Sequence, residues 1–211
     1  MHTNVPAQSI KLHRYLLSGH SHRVELFLSL LELPYELIEV NLKTGAQKHP
    51  QFIAMNPFGQ VPVIQDGDII VADSNAILVY LATRYGRDSW LPRDPFAAAA
   101  VQRWLSVAAG PLASGPAAAR RAALNNIPVP PEAVERSQSL FSVMDSALKK
   151  RSFLAGSTPT VADIANYTYS AHAEEGGISL APYPQLRNWL RRIEALPGFI
   201  SMTRSNNGLA V

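Results

Sequence analysis

Two serines and two histidines surround one glycine in the stretch Leu16 to Leu26, LLSGHSHRVEL. A hydroxyl near a helix start can donate to a bound anion and imidazole titrates near physiological pH, so Ser18, His20, Ser21 and His22 are all candidates for chemistry. A second pair, Asp73-Ser74, opens a helical run behind a strand-like one. There the carboxylate could hold an ammonium group while free N–H groups hold a carboxylate, the two ends of an α-amino acid; simple capping of the helix is the equally open alternative. The third is Gly59-Gln60-Val61-Pro62, where a proline with no N–H stands at a strand start. A cis Val61-Pro62 bond would turn the Val61 N–H and C=O outward, whereas a trans bond is the commoner state of any X-Pro pair.

Several chemistries are disfavoured at once. The chain has no cysteine, which removes disulfides, thiolate zinc sites and a cysteine nucleophile, so any thiol must arrive with a ligand. Ser18 and His20 stand only two residues apart with no aspartate indicated behind them, an awkward spacing for a hydrolase relay. His20 and His22 lack a third metal ligand nearby, and no metal is expected. A net charge of +3 spread over 19 basic residues is no nucleic-acid footprint. The opening MHTNVPAQS has no apolar core and no run approaches membrane-spanning length, so neither export nor a membrane partner is expected and the cytoplasm is the expected location.

These residues need elements to hold them. Ile10 to Leu17 partly alternates like a strand, the apolar positions from Val24 to Leu33 have helical spacing up to Pro34, and Tyr35 to Val40 alternates again. A helical connection between two strands implies a parallel, right-handed βαβ unit. Val61 to Ile64 and Asp68 to Val71 predict a hairpin about Gln65-Asp66-Gly67, and Ser74 to Tyr85 predicts a helix. From residue 95 onward the chain is rich in alanine and leucine, with helices expected near 95–113, 131–150, 160–172 and 184–204 and prolines between them. Thr160-Val161-Ala162-Asp163 reads as a capping box. The fold expected is an α/β domain over 1–87, a linker at 88–94 and an all-α domain over 95–211.

Taken in order, LLSGHSHRVEL, LPYELIEVNL, FIAMNPFGQVPVI, ADSNAILVYLA and FLAGSTPTVADIA resemble the cytosolic glutathione transferase family, of bacterial serine type with a theta- or zeta-like N-terminal motif. The resemblance covers almost the whole chain. It implies a thioredoxin-like first domain that binds glutathione as co-substrate, a cis Pro62, and a homodimer. The implied glutathione contacts are the Val61 backbone for the cysteinyl unit, Asp73 and Ser74 for the γ-glutamyl end, and Gln47, Lys48 and Gln60 toward the glycyl carboxylate.

The resemblance also aligns Ser18 with the residue that hydrogen-bonds the glutathione thiolate, a bond to a charged acceptor worth about 1 to 3 kcal/mol. His20 departs from the pattern, since serine-type relatives often carry Asn or Cys there. It is either a second donor or base at the sulfur, or a turn histidine with no role. A small hydrophobic electrophile is the implied second substrate, in a pocket between the domains with Tyr15, Trp104, Val107, Ala108 and Pro111 as candidates; the alternative for Trp104 is plain core. The tail from Ser205 to Val211 is a candidate cover for that pocket. Glutathione-dependent isomerisation or reduction of hydroperoxides and disulfides is a rival activity, although an isomerase would carry a fuller Ser-Ser-Cys turn than Ser18-Gly19-His20. A non-catalytic binding module of the same fold is the rival of a different class.

Overall fold

The computed structural model describes residues 5–205; of the tail expectation, residues 206–211 lie outside them. The chain begins β1 (Ile10–Arg14), α1 (Gly19–Leu30), β2 (Tyr35–Glu39), then α2 (Pro50–Met55), β3 (Val63–Asp66), β4 (Ile69–Ala72) and α3 (Ser74–Arg84). The four strands form one sheet in the order β2-β1-β3-β4, with β1 and β2 parallel and the other two pairings antiparallel. Leu12 is central, opposite Leu37 on one side and Ile64 on the other. This is a thioredoxin-like α/β domain, followed by a helical one.

β1 is shorter than its sequence pattern, and β3 keeps its expected length but lies two residues later, running through Gln65 and Asp66 of the expected turn. β1 stops at Arg14 because the next N–H groups leave the ladder: Tyr15 N–H donates to Ser21 Oγ and Leu16 N–H to Glu39 Oε1. β3 starts at Val63, after Pro62, which has no N–H to give a neighbouring strand. The Val61–Pro62 peptide is cis.

The helical half consists of α4 (Pro95–Ala109), α5 (Pro111–Ser114), α6 (Pro116–Leu124), α7 (Pro131–Leu148), α8 (Val161–Ala171) and α9 (Pro184–Glu194). The single helix expected over 95–113 is two, broken at Gly110, and α6 has no counterpart among the expected elements. The prolines mislead if read only as breaks. Six helices carry proline in their first turn, where the missing N–H costs nothing and the fixed φ favours the turn that follows. The last helix ends ten residues before the expected 204, just ahead of Pro197-Gly198.

α8 is the axis of the molecule. Its residues Val161 to Ser170 are all buried, and it packs on α1 and α3 of the first domain and on α4 and α9 of its own. The expected capping box forms at its start: Asp163 Oδ2 accepts from Thr160 N–H and Oγ1, while Asp163 Oδ1 accepts from Leu154 N–H and Trp189 Nε1–H. One apolar core runs through both halves, from Leu12, Phe27 and Leu78 to Trp104, Phe141 and Trp189. No helix among the described residues is long and apolar enough to cross a membrane.

Candidate functional site

Ser18 precedes α1 with extended backbone, φ −86° and ψ 114°, and its Oγ accepts from the Ser21 N–H at 3.2 Å. It is therefore the N-cap of the helix. Accepting one bond leaves its hydroxyl proton available to a ligand. Gly19 follows against the ring of Tyr169 from α8: a Cβ there would stand 2.7 Å from Cε1 and Cζ, so only glycine allows α1 to start this close. Ser21 and His22 face inward and are buried. His22 bridges elements, with Nε2 3.1 Å from the Ile200 carbonyl and Nδ1 2.9 Å from Thr168 Oγ1. The carbonyl can only accept, which makes Nε2–H the donor and Nδ1 the acceptor.

His20 is one residue further along the cleft side. Its Nδ1 lies 3.3 Å from Ser74 Oγ and its ring meets Tyr169 edge-on, with centroids 5.0 Å apart. Burial, and then the charges of Arg23 and Arg121, push its pKa down to about 3, so it is neutral at physiological pH.

The α3 end is built from a strained residue. Asp73 has φ 73°, a backbone region that a non-glycine residue rarely enters, and its Oδ1 accepts from both Asn75 N–H and Ala76 N–H at 2.9 Å. Ser74 is 4% exposed and accepts from Arg23 Nη1 at 3.2 Å. Between these two helix starts and the cis-proline loop lies a cleft of about 450 Å³ lined by His20, Gln60, Val61, Pro62, Asp73 and Ser74. Asn56, buried beneath it, holds the loop: its Nδ2 donates to Gln60 O at 2.8 Å and its Oδ1 accepts from Phe58 N–H at 3.1 Å.

Other expected site residues lie outside that lining. Gln47 and Lys48 occupy a short 3-10 turn, Ala46–Lys48, packed on the Gly59 turn: a Cβ on Gly59 would come 2.9 Å from Lys48 Nζ and 3.0 Å from Gln47 O. Ser18 stands at the mouth of α1, two positions before His20. Tyr15 and Val107 are half-buried and Pro111 is exposed. Trp104 and Ala108 correct the expectation: they are 4% and 0% exposed, packed in the core, where the Trp104 carbonyl accepts from Asn166 Nδ2. Trp104 faces inward because α4 turns its apolar stripe to α8. A separate cavity of about 490 Å³ between α3 and α4 contains none of the expected residues.

Sequence reasoning passed over two arginines. Arg23 is fully buried behind the cleft, between Ser74, Asn75 and the Tyr169 ring. Arg120, 2% exposed on α6, donates from Nη1 to the carbonyl of Leu17 at 2.8 Å and from Nε to Glu175 at 3.0 Å. It ties the backbone ahead of Ser18 to the helical half. Arginine is read from sequence as a surface residue, and only the small apolar neighbours of Arg120, Ala117 to Ala119 and Ala122 to Ala123, hint that its helix is deeply packed.

Comparison with known proteins matches this architecture. Residues 8–83 match the family model "Glutathione S-transferase, N-terminal domain" and residues 116–197 "Glutathione S-transferase, C-terminal domain". The Escherichia coli protein "Glutathione S-transferase GstB" is 32% identical over 193 residues, covering 85% of this chain and 90% of its own. "Disulfide-bond oxidoreductase YfcG", also from Escherichia coli, is 32% identical over 191 residues, 84% of this chain and 87% of its own. Among solved structures, a glutathione transferase homologue from Drosophila mojavensis with bound glutathione superimposes with a TM-score of 0.82 at 29% identity, covering 90% of this chain and 89% of that one. Fold and similarity over most of the length agree, and the chain belongs to the glutathione S-transferase family.

Proposed function

We propose that the chain binds glutathione in the cleft between α1, the cis-proline loop and α3, and activates its thiol for attack on a small hydrophobic electrophile. The observation that carries the reading is the convergence of His20, Gln60, Val61, Pro62, Asp73 and Ser74, from three separate segments, on one cleft. The Val61 backbone would pair with the cysteinyl unit, Asp73 and Ser74 would hold the γ-glutamyl end, and Gln47, Lys48 and Gln60 would face the glycyl carboxylate. Ser18 is the thiolate partner in this reading. Its hydroxyl donates to the sulfur, with the α1 N-terminus behind it, so the thiol releases its proton to solvent more readily. The thiolate then forms a C–S bond at the electrophilic carbon, and a leaving group departs with its electron pair or an addition product takes up a proton.

The electrophile would enter from the side of Tyr15, Val107 and Pro111. No metal takes part. The reading includes a cytoplasmic homodimer, a partner copy being supported by apolar side chains left open on the helical half, Phe96 at 86% and Val143 at 53% exposure.

The thiolate absorbance of bound glutathione, followed against pH, tests the assignment. Wild type should show a thiol pKa well below that of free glutathione. Ser18→Ala should raise it by roughly 1 to 2 units, the equivalent of a hydrogen bond to a charged acceptor. Binding without any lowered thiol pKa would sink the catalytic reading and leave a glutathione-binding module. The similarity to YfcG favours one second activity, in which the thiolate attacks a disulfide sulfur and a second glutathione resolves the mixed disulfide. A panel of an aryl halide, an isothiocyanate, a hydroperoxide and a disulfide separates these: turnover of the disulfide alone would replace conjugation with reduction.

A further inference from the structure

Arg120 reaches across the seam between the domains to the turn that carries Ser18. It is 2% exposed on α6, and its Nη1 donates to the Leu17 carbonyl at 2.8 Å. That carbonyl belongs to the same peptide group as the Ser18 N–H, which donates to Tyr15 O at 2.9 Å within the turn. The peptide is therefore held at both ends, on one side by the first domain and on the other by the helical half. Because a peptide is planar, fixing its plane fixes the bond about which Ser18 turns. The Ser18 Oγ already accepts from Ser21 N–H at 3.2 Å, so a rotated peptide would disturb that bond and the direction of the hydroxyl proton together.

Arg120 is itself clamped. Its Nε donates to Glu175 Oε2 at 3.0 Å, the same oxygen accepts from Ser205 Oγ at 2.6 Å, and His172 Nδ1 holds Oε1. Burial works against the Glu175 carboxylate, but the bonds from His172 and Ser205 and the Arg120 charge hold its pKa below the usual range, so the pair is ionised. The 3-10 turn that carries Glu175, Ala173–Gly176, lies directly on α6: a Cβ on Gly176 would stand 2.6 Å from Arg120 N. A rigid guanidinium fork between a carboxylate and a carbonyl has little freedom to move. Glu175 already answers the charge, and Arg120 does not line the cleft, which leaves the bond to Leu17 to act on the turn. We propose that Arg120 is a positioning residue for Ser18: by holding the Leu17–Ser18 peptide from the helical half, it aims the Ser18 hydroxyl proton at the glutathione sulfur. A misplacement of about 1 Å suffices to lose much of such a bond. The inference rests on the glutathione reading and deepens it, because it makes activation of the thiol depend on the second domain.

The thiolate absorbance of bound glutathione, followed against pH in a double-mutant cycle of the full chain, tests the step. Arg120→Met should raise the bound thiol pKa by about 1 unit when Ser18 is present, a large part of the Ser18 hydrogen bond, and by less than about 0.3 units in a Ser18→Ala background. Arg120→Lys, which keeps a cation able to donate to the Leu17 carbonyl, should recover at least about half of the shift. S-methylglutathione, which has no thiol to ionise, should bind Arg120→Met within about threefold of wild type by calorimetric titration. An equal rise in both backgrounds would mean that the lost charge acts by its field alone, and it overturns the inference. So does an unchanged thiol pKa in Arg120→Met, or a weakening of S-methylglutathione beyond threefold, the mark of a merely structural arginine. If Arg120→Met does not fold, Glu175→Gln decides by sign. Loosening the hold on Arg120 should raise the thiol pKa, whereas removing a negative charge that acts only by its field would lower it, and an unchanged or lowered value overturns the inference. A wild type that binds glutathione without lowering its thiol pKa would instead remove the reading on which the inference rests, and the inference with it.

Discussion

The two side chains that open α1 behave differently although they stand two residues apart. Ser18 serves the fold and the proposed chemistry with different halves of one hydroxyl, its oxygen accepting from Ser21 N–H and its proton remaining for a ligand. His20 is held neutral by burial and by Arg23 and Arg121, with a pKa near 3, so it cannot serve as a base whose charge switches around neutrality. Its Cε1–H proton resonance should accordingly stay flat between pH 8 and pH 5; an inflection near 6.5 in the nuclear magnetic resonance titration would show that the imidazole is solvated and reopen its role as a base. At this scale the cleft residues were legible because they are also punctuation. Pro62 and Asp73-Ser74 mark the starts of a strand and a helix, and the groups that line the cleft stand at element ends. Arg23 was not legible. Its neighbours His22 and Val24 give no sign that a cation between them is entirely enclosed, since that depends on Tyr169, about 146 positions away in the chain.

Elements were read best where a local signal had a mechanism and worst where one residue type has two. The capping box at Thr160 and Asp163 is local chemistry, and it forms as read. What no local pattern could reveal is that the same carboxylate also accepts from Leu154 N–H and Trp189 Nε1–H, tying α8 to the loop before it and to α9. Burial raises the Asp163 pKa, against these four donors. Asp163→Ala would leave buried N–H groups on Thr160, Leu154 and Trp189 without acceptors, so chemical denaturation should show a loss of about 3 kcal/mol or more, well beyond the ~1 kcal/mol of a simple cap. A loss near 1 kcal/mol would mean that water replaces the carboxylate at all three. Proline is the ambiguous signal: Pro111 and Pro116 end one helix and begin another, and counting them only as stops hid α6, the helix that carries Arg120.

At the scale of the whole molecule the two domains are joined by buried polar bonds as well as by the shared core, and the bonds of His22 depend on pH. His22 on α1 holds Thr168 of α8 and the Ile200 carbonyl near the C-terminus, while Arg120 holds the Leu17 carbonyl and Glu175, which also accepts from Ser205 Oγ. Burial, and against it a bond to Ile200, leaves His22 with a pKa of about 4, and His20 lies lower still. Both values are depressed relative to the unfolded chain, near 6.5. Between those limits the unfolded state binds more protons than the folded one, so the stability these histidines contribute is complete above about pH 6.5 and is lost as pH falls toward 4. Each contributes a slope of at most about 1.4 kcal/mol per pH unit, enough for two together to consume much of an ordinary folding free energy of about 5–15 kcal/mol. Urea unfolding at pH 7.5 and at pH 5.0 should therefore differ by roughly 2 to 4 kcal/mol at an unchanged m-value. His22→Gln, which can still donate to the Ile200 carbonyl but does not titrate, should flatten the dependence by nearly half. Equal stability at the two pH values would mean that the imidazoles are protonated without unfolding, and that the seam between the domains opens to water before either domain does.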